Sequence, residues 1–347
     1  MPTSPTELLD RITGRLAPLE RARQHAYWAA ATDARPETSD ARARAEEAWL
    51  AALGDRELFA EVEAALAAGA GEALTTRALA EARRVMLANQ VPEDLRAGLV
   101  RSDLHPRPGK DQHAFCIDID RGGDVRVLAN VTAGEQWLDT MLHELGHAVY
   151  DDHVARPLPW MLRRPPHALA TEAVALMLGR LRRDPEFLVG VAGADPAAAR
   201  VLGTASRQVL RTGTLVFARW CLVMVRFEQA LYADPGQDLS ATWWDLVEGL
   251  QHVHRPEGRA QPDWASKTHL AVSPVYYQSY LLGELLAAQL DRAVRAGAGG
   301  FVNRPEAGRF LVERVFAPGA SLAWMGLIES ATGRPLTPEA FVAGLER

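Results

Sequence analysis

Leu8, Ile12, Leu16 and Leu19 recur at three- and four-residue intervals, which places them on one stripe of an α-helix. Helical texture continues through residues 5–90, with Ala-rich, charge-laced stretches near 40–53, 55–68 and 75–89 broken by Asp55, Gly69 and Gly71. No internal repeat and no coiled-coil heptad is present. From Val91 to Gln112 the periodicity stops, and Pro92, Pro106, Pro108 and Gly109 mark a loop. The expected organisation is an N-terminal helical region over 1–90 and a second region over 105–347, forming one continuous unit. The pattern then changes period. Phe115, Ile117 and Ile119 alternate with Cys116 and Asp118, Arg121-Gly122-Gly123 supplies a turn, and Val125, Val127, Ala129 and Val131 alternate again. This predicts a β-hairpin over 114–119 and 124–131. Thr132 and Glu135 have capping-box spacing and predict the start of a helix. Helices are expected over 135–151, 167–183, 205–233, 241–251, 274–297, 305–316, 321–331 and 337–345. The chain is thus expected to be mainly α, with one small hairpin.

Composition narrows the function. The 347 residues suffice for a substantial core, and 48% hydrophobic with 24% charged residues is ordinary for a soluble protein. A net charge of -6 without a basic patch points away from nucleic acid. Two cysteines, Cys116 and Cys221, cannot build a disulfide framework and read as buried thiols. The most apolar stretch, Thr212 to Phe227, carries Arg219 and Arg226 and falls short of a spanning length; Met1 to Asp10 has no secretory signal. The expectation is a soluble, cytoplasmic protein with no membrane or nucleic-acid partner. Its oligomeric state is not legible.

The chemistry concentrates in His143-Glu144-Leu145-Gly146-His147, an HExxH sequence inside the expected helix 135–151. The i, i+4 spacing brings two imidazoles to one face, where both reach a single ion. Glu144 lies one residue on from His143, so its carboxylate can touch a metal-held water without occupying a ligand position. Leu138, Leu142, Leu145 and Val149 form the core-facing stripe. A third ligand is needed, and two residues compete. His153 has metzincin spacing, but that motif needs a glycine where this chain has Tyr150, so the helix should run on and aim His153 elsewhere. Glu172 sits among Ala168, Leu169, Ala175 and Leu176, three and four residues away. A carboxylate in an apolar face costs several kcal/mol unless a cation meets it. Either a metal ion or an arginine such as Arg163 or Arg180 would serve. Two His on one helix and a Glu on the next is the gluzincin arrangement.

Three protein ligands on one Zn2+ per chain leave a position for water, whose pKa the metal lowers to ~7. Glu144 can then take its proton and return it to a leaving amine. Oxyanion donors can be sought in His269, Tyr276, Tyr277 and Tyr280, which could equally form an aromatic core stripe. His25, His105, His167, His252 and His254 read as surface or core residues, and Asp151, one turn after His147, as a solvated helix end or, failing that, a group behind His147.

The sequence resembles the angiotensin-converting-enzyme family of peptidyl dipeptidases and, more distantly, the thimet oligopeptidases. Beyond the HExxH helix and Glu172, the resemblance is carried by Gln112-His113-Ala114 ahead of the hairpin, by Trp243-Trp244-Asp245-Leu246, by Lys267-Thr268-His269 through Pro274 and the tyrosines, and loosely by Phe316-Ala317-Pro318-Gly319 and Thr332-Gly333-Arg334-Pro335. It implies a helical gluzincin fold with the hairpin edge beside the HExxH helix. It implies that His113 and Ala114 hold the peptide backbone, that Lys267 binds the substrate's C-terminal carboxylate with support from Tyr277, and that His269 and Tyr280 stabilise the oxyanion. Counting forward from His269 favours Tyr276 for the first tyrosine role, while counting back from Leu281-Leu282 favours Tyr277 and Tyr280. Family members are longer, and the missing stretch would fall between about Gln90 and Arg101. Leu176 stands where the animal enzymes carry an acidic residue behind the metal ligands. The implied activity is zinc-dependent hydrolysis of short peptides, with release of C-terminal dipeptides. The alternatives are a repurposed zinc enzyme acting on a small metabolite, or a zinc-binding module without catalysis.

Overall fold

The computed structural model describes residues 4–69, 72–79, 102–132, 134–267, 269–270 and 273–346. The expected helix over 75–89 falls largely outside the described residues. So does the stretch from Gln90 to Arg101, which holds the expected shortening and part of the expected boundary.

Helix α1 (Pro5–Thr32) starts where Ser4 and Glu7 cap each other reciprocally and Pro5 presets the first turn. Leu8, Ile12 and Leu16 are buried as the periodicity requires, and Leu19 is partly buried. They pack with Trp49 and Leu53 of α2 (Pro36–Leu53) and Val62 of α3 (Arg56–Ala67). The same cluster takes in Trp160, Met161, Leu162 and Ala320, so the N-terminal helices share a core with the second region.

Strands β1 (Phe115–Asp118) and β2 (Val125–Leu128) pair antiparallel with Phe115 opposite Leu128 and Asp118 opposite Val125. The turn between them closes on the Asp118 carboxylate, which accepts from the backbone N–H groups of Asp120 (2.9 Å) and Arg121 (2.5 Å). Arg121 is no ordinary turn residue. It is 1% exposed, in the left-handed region (φ 51°), ion-paired to Glu20 at 2.9 Å and stacked 4.3 Å over the Trp160 ring. The proline-rich loop is packed as well. Asp103 bonds to the backbone of Val127 and Ala129, and Ala34 and Asp111 bond across to Gly109 and Ala31.

Helix α4 (Glu135–Asp152) carries the HExxH sequence. Its expected capping box does not form. The N-cap is Gly134 and no side chain caps it; the Glu135 carboxylate instead pairs with Arg183 at 2.7 Å and Arg182 at 3.3 Å, in the basic turn that follows α5. Helix α5 (Ala168–Gly179) is the expected one, shortened because 180–183 tightens into a 3₁₀ turn. A short α6 (Pro185–Gly190) was not foreseen, and α7 (Pro196–Ala233) begins earlier than expected. Its 38 residues extend beyond the apolar stretch expected at 212–227 and are, by length and composition alone, long and apolar enough to cross a membrane. Its C-terminal half packs Val223, Met224 and Phe227 against Trp243 and Val247 of α8 (Leu239–Gln251). There follow α9 (Tyr277–Ala298), α10 (Pro305–Leu311), a π-turn at Val312–Phe316, α11 (Trp324–Thr332) and α12 (Glu339–Glu346). Tyr150, fully buried, donates its hydroxyl to the Val315 carbonyl at 3.0 Å within that π-turn.

Two glycines set the spacing around α5. A Cβ on Gly146 would stand 2.5 Å from the Ala175 Cα, and one on Gly283 would stand 3.2 Å from the Glu172 Cβ. Helix α5 is thus clasped backbone-close between α4 and α9. Ala170, Ala173 and Val174 fill the core between them with Leu286, Ala287 and Leu290.

Candidate metal centre

The close passage of α4 and α5 brings His143, His147 and Glu172 together, with one ligand atom from each lying within 4.8 Å of the others. The two Nε2 atoms are 3.2 Å apart, and Glu172 Oε2 is 3.6 Å from His143 Nε2 and 3.9 Å from His147 Nε2. Ligand atoms about 2.0–2.1 Å from a tetrahedral ion stand roughly 3.3–3.4 Å apart, so the triangle has the size of a zinc site. Glu172 is 3% exposed, and among the described residues its Oε2 has no hydrogen-bond partner. Neither candidate arginine meets it. Arg180 pairs with Glu284, and Arg163 donates to the Leu158 carbonyl at 2.7 Å. A buried, half-satisfied carboxylate facing two imidazoles is what a cation would relieve.

His153 takes no part. Helix α4 ends at Asp152, earlier than a continuing helix would, and His153 is its C-cap, with Nδ1 2.8 Å from the Val149 carbonyl oxygen. Asp151 is not a solvated helix end; it is 7% exposed, and its charge bears on Cys116 and Tyr150.

Burial dominates the electrostatics. It lowers His143 to about 4, and burial with the neighbouring His143 also lowers His147, so both imidazoles are neutral with a lone pair to give. It raises Glu172 to about 7 against the Tyr276 hydrogen bond. Glu144, 7% exposed, is pushed up to about 8 by burial and by the charge of Glu172, while the Cys116 backbone N–H holds it down in part. That N–H belongs to β1, so the hairpin edge lies beside the HExxH helix. A carboxyl raised toward neutrality is suited to accepting and returning a proton.

The tyrosines divide between different partners. Tyr276 donates its hydroxyl to Glu172 Oε1 at 2.5 Å, Tyr277 accepts from Trp220 Nε1 at 3.0 Å, and the Tyr280 hydroxyl is 3.3 Å from His269 Nε2. The Tyr276 and Tyr277 rings each lie 5.3 Å from Tyr280, and the raised pKa of Tyr280, set by burial and then by Glu172, keeps it a donor. Val275, just before Tyr276, holds a left-handed conformation (φ 57°) that a β-branched residue rarely adopts, with its N–H fixed 2.6 Å from Glu228 Oε1. Lys267 Nζ lies 5.5 Å from the Trp220 ring and 5.7 Å from the Trp243 ring. His113 is exposed and close enough to His269 to depress its pKa, second to burial. Ala114 packs beneath the hairpin with Val125 and Val127.

Three contributors escaped the sequence reading: Thr171, whose Oγ1 lies 2.6 Å from His147 Nδ1; the Cys116 N–H; and the Tyr276 hydroxyl on Glu172. Only Thr171 left a signal, as a polar residue next to Glu172 on an otherwise apolar helix.

The model of peptidase family M3 matches residues 81–347. The chain belongs to peptidase family M3. This family is metal-dependent, and the chain is accordingly a gluzincin metallopeptidase related to the thimet oligopeptidases, as the resemblance implied. No curated protein matches the sequence. Among solved structures, an M32 carboxypeptidase from Deinococcus radiodurans R1 superposes with a TM-score of 0.75 at 16% identity, covering 98% of this chain and 97% of that one. Metallocarboxypeptidase 1 of Trypanosoma cruzi gives 0.75 at 16%, covering 99% of each. A carboxypeptidase of Pyrococcus furiosus gives 0.73 at 15%, covering 98% of each. At these identities the likeness is one of fold. It runs the length of both chains, so the shortening expected against the peptidyl dipeptidases does not set this M3 member apart from these structures.

Proposed function

We propose that this M3-family chain is a zinc peptidase that hydrolyses short peptides, directed to their C-terminal end. The observation that carries the reading is the convergence of His143, His147 and the half-satisfied Glu172 on one point, with Glu144 beside it. Neutral imidazoles and one carboxylate form a donor set suited to Zn2+, with one ion per chain. When bound, zinc polarises the scissile carbonyl and acidifies the attacking water.

The protein's own groups do the rest. Glu144 takes the water's proton and passes it to the leaving amine. Tyr276 holds Glu172 in place through Oε1. Tyr280, with His269 behind its hydroxyl, donates to the oxyanion. Ala114, just outside the paired register of β1, and His113 align the peptide backbone along the strand edge. Lys267, over Trp220 and Trp243, attracts the substrate's terminal carboxylate, and Tyr277 supports that end through Trp220. The similar solved structures are carboxypeptidases, which agrees in direction with the role given to Lys267.

The test is a digest of matched peptides with free and amidated C-termini, read by mass spectrometry with and without chelator. The expected result is chelator-sensitive cleavage near the free C-terminus, restored by zinc, releasing dipeptides. Cleavage indifferent to amidation removes the role of Lys267, release of single residues replaces the dipeptide, and cleavage indifferent to chelator overturns the metal.

A further inference from the structure

An imidazole that holds an ion through one nitrogen needs its other nitrogen protonated and anchored, or the ring flips and the lone pair points away. His147 has such an anchor. Its Nδ1 lies 2.6 Å from Thr171 Oγ1, while its Nε2 faces His143 and Glu172. A hydroxyl oxygen has two lone pairs, so Thr171 can accept from Nδ1–H and thereby select the tautomer whose Nε2 is free. Thr171 directly precedes Glu172 on α5, and the close passage of Gly146 over Ala175 sets the distance to His147. Leu176, one turn on from Glu172, is a hydrocarbon packed against the core of α5 and α9 and offers no acceptor.

We infer that Thr171 is a positioning residue that fixes the His147 tautomer and so sets the metal affinity of the site. It acts through His147. The partner it gives that ring is a neutral hydroxyl, so Glu172 remains the sole anionic ligand of the set. This inference rests on the metal site proposed above.

The experiment compares the wild-type chain with Thr171→Val, which keeps the shape and removes the acceptor, and Thr171→Ser, which restores it. Zinc affinity is measured by competition with a chromogenic chelator, and the thermal midpoint of the metal-free protein serves as the folding control. Thr171→Val is expected to bind zinc about 10–100-fold more weakly, Thr171→Ser to return close to wild type, and the metal-free midpoints to stay together. Activity of Thr171→Val should recover when zinc is raised to saturation, with KM unchanged. Wild-type affinity in Thr171→Val overturns the inference, as does a Thr171→Ser variant that binds zinc no better than Thr171→Val, which would show that a hydroxyl at this position does not set the affinity. If Thr171→Val does not fold, Thr171→Ala against Thr171→Ser decides in the same way. A wild-type chain that binds no zinc overturns the metal site as well, whereas tight wild-type binding untouched by Thr171→Val overturns Thr171 alone.

Discussion

Glu144 and Glu172 are both buried carboxyls, yet their surroundings assign them different work. Glu172 turns one oxygen to Tyr276 and the other, without a hydrogen-bond partner among the described residues, to the two imidazoles. Glu144 faces the Cys116 N–H at the strand edge. Glu144→Gln should therefore abolish measurable peptide cleavage, a loss of at least ~10²–10⁴-fold in kcat, while zinc content measured by atomic absorption stays at wild-type level. Surviving turnover would remove the base. Glu172→Ala should instead strip the metal, and unchanged zinc content would point to another ligand. Tyr280→Phe should lower kcat by ~10²–10³-fold with KM little changed if its hydroxyl meets the oxyanion. At this scale HExxH and the stranded acid were legible because each is a local pattern. The partners of the tyrosines were not, since counting along the chain leaves the register open, and the fold gives Tyr276 to Glu172 and Tyr280 to His269.

Among elements, the decisive contact is between α4 and α5. Gly146 lies within the motif, and the periodicity around it marks a helix face without saying what that face meets. The fold answers with the backbone of α5, leaving no room for a side chain. Gly146→Ala should destabilise the protein by about 1–3 kcal/mol in urea titrations and weaken zinc binding by pushing His147 away from Glu172. A variant with wild-type stability and zinc affinity would show that the helices can separate at no cost. Helix ends were the least legible feature. Glu135 lost its capping role to Arg182 and Arg183, charges brought from beyond α5. Helix α7 starts well ahead of its apolar pattern because Asp195 caps the Ala197 and Ala198 N–H groups and Pro196 presets the first turn, a cue of capping rather than of periodicity.

Across the whole molecule, the N-terminal helices are tied to the hairpin by buried charge. Glu20 pairs with Arg121, and Arg164, lowered to about 10 by burial, also feels its charge. Glu20→Ala removes a counter-charge buried against Arg121 and should cost about 3–5 kcal/mol, read as a lower urea midpoint; a loss below ~1 kcal/mol would mean that the pair does not hold the hairpin to the N-terminal helices. Acid stability has its own anchor at Asp103. Burial raises its pKa, but Arg107 and Lys110 more than offset this and hold it below the usual carboxylate range. A carboxylate held low when folded contributes fully above its unfolded value of about 3.9 and loses that contribution as pH falls through the lower folded value. Asp103→Asn should therefore be less stable than wild type at pH 7, with the difference shrinking below about pH 4. A difference independent of pH would show that the pair does not titrate with unfolding.

The amino-acid order alone determined the mainly helical class, the single hairpin and the motif on its helix, because periodicity, turn residues and i, i+4 spacing act over a few neighbouring residues. It also singled out Glu172, since a carboxylate in an apolar helical stripe is conspicuous without any structure. Only the tertiary structure decided what met that carboxylate, which hydroxyl anchored His147, and that Arg121 and Asp151 were buried. Those outcomes depend on close passages between segments far apart in sequence, where the backbone-close spacing allowed by Gly146 and Gly283 selects partners that no local pattern encodes.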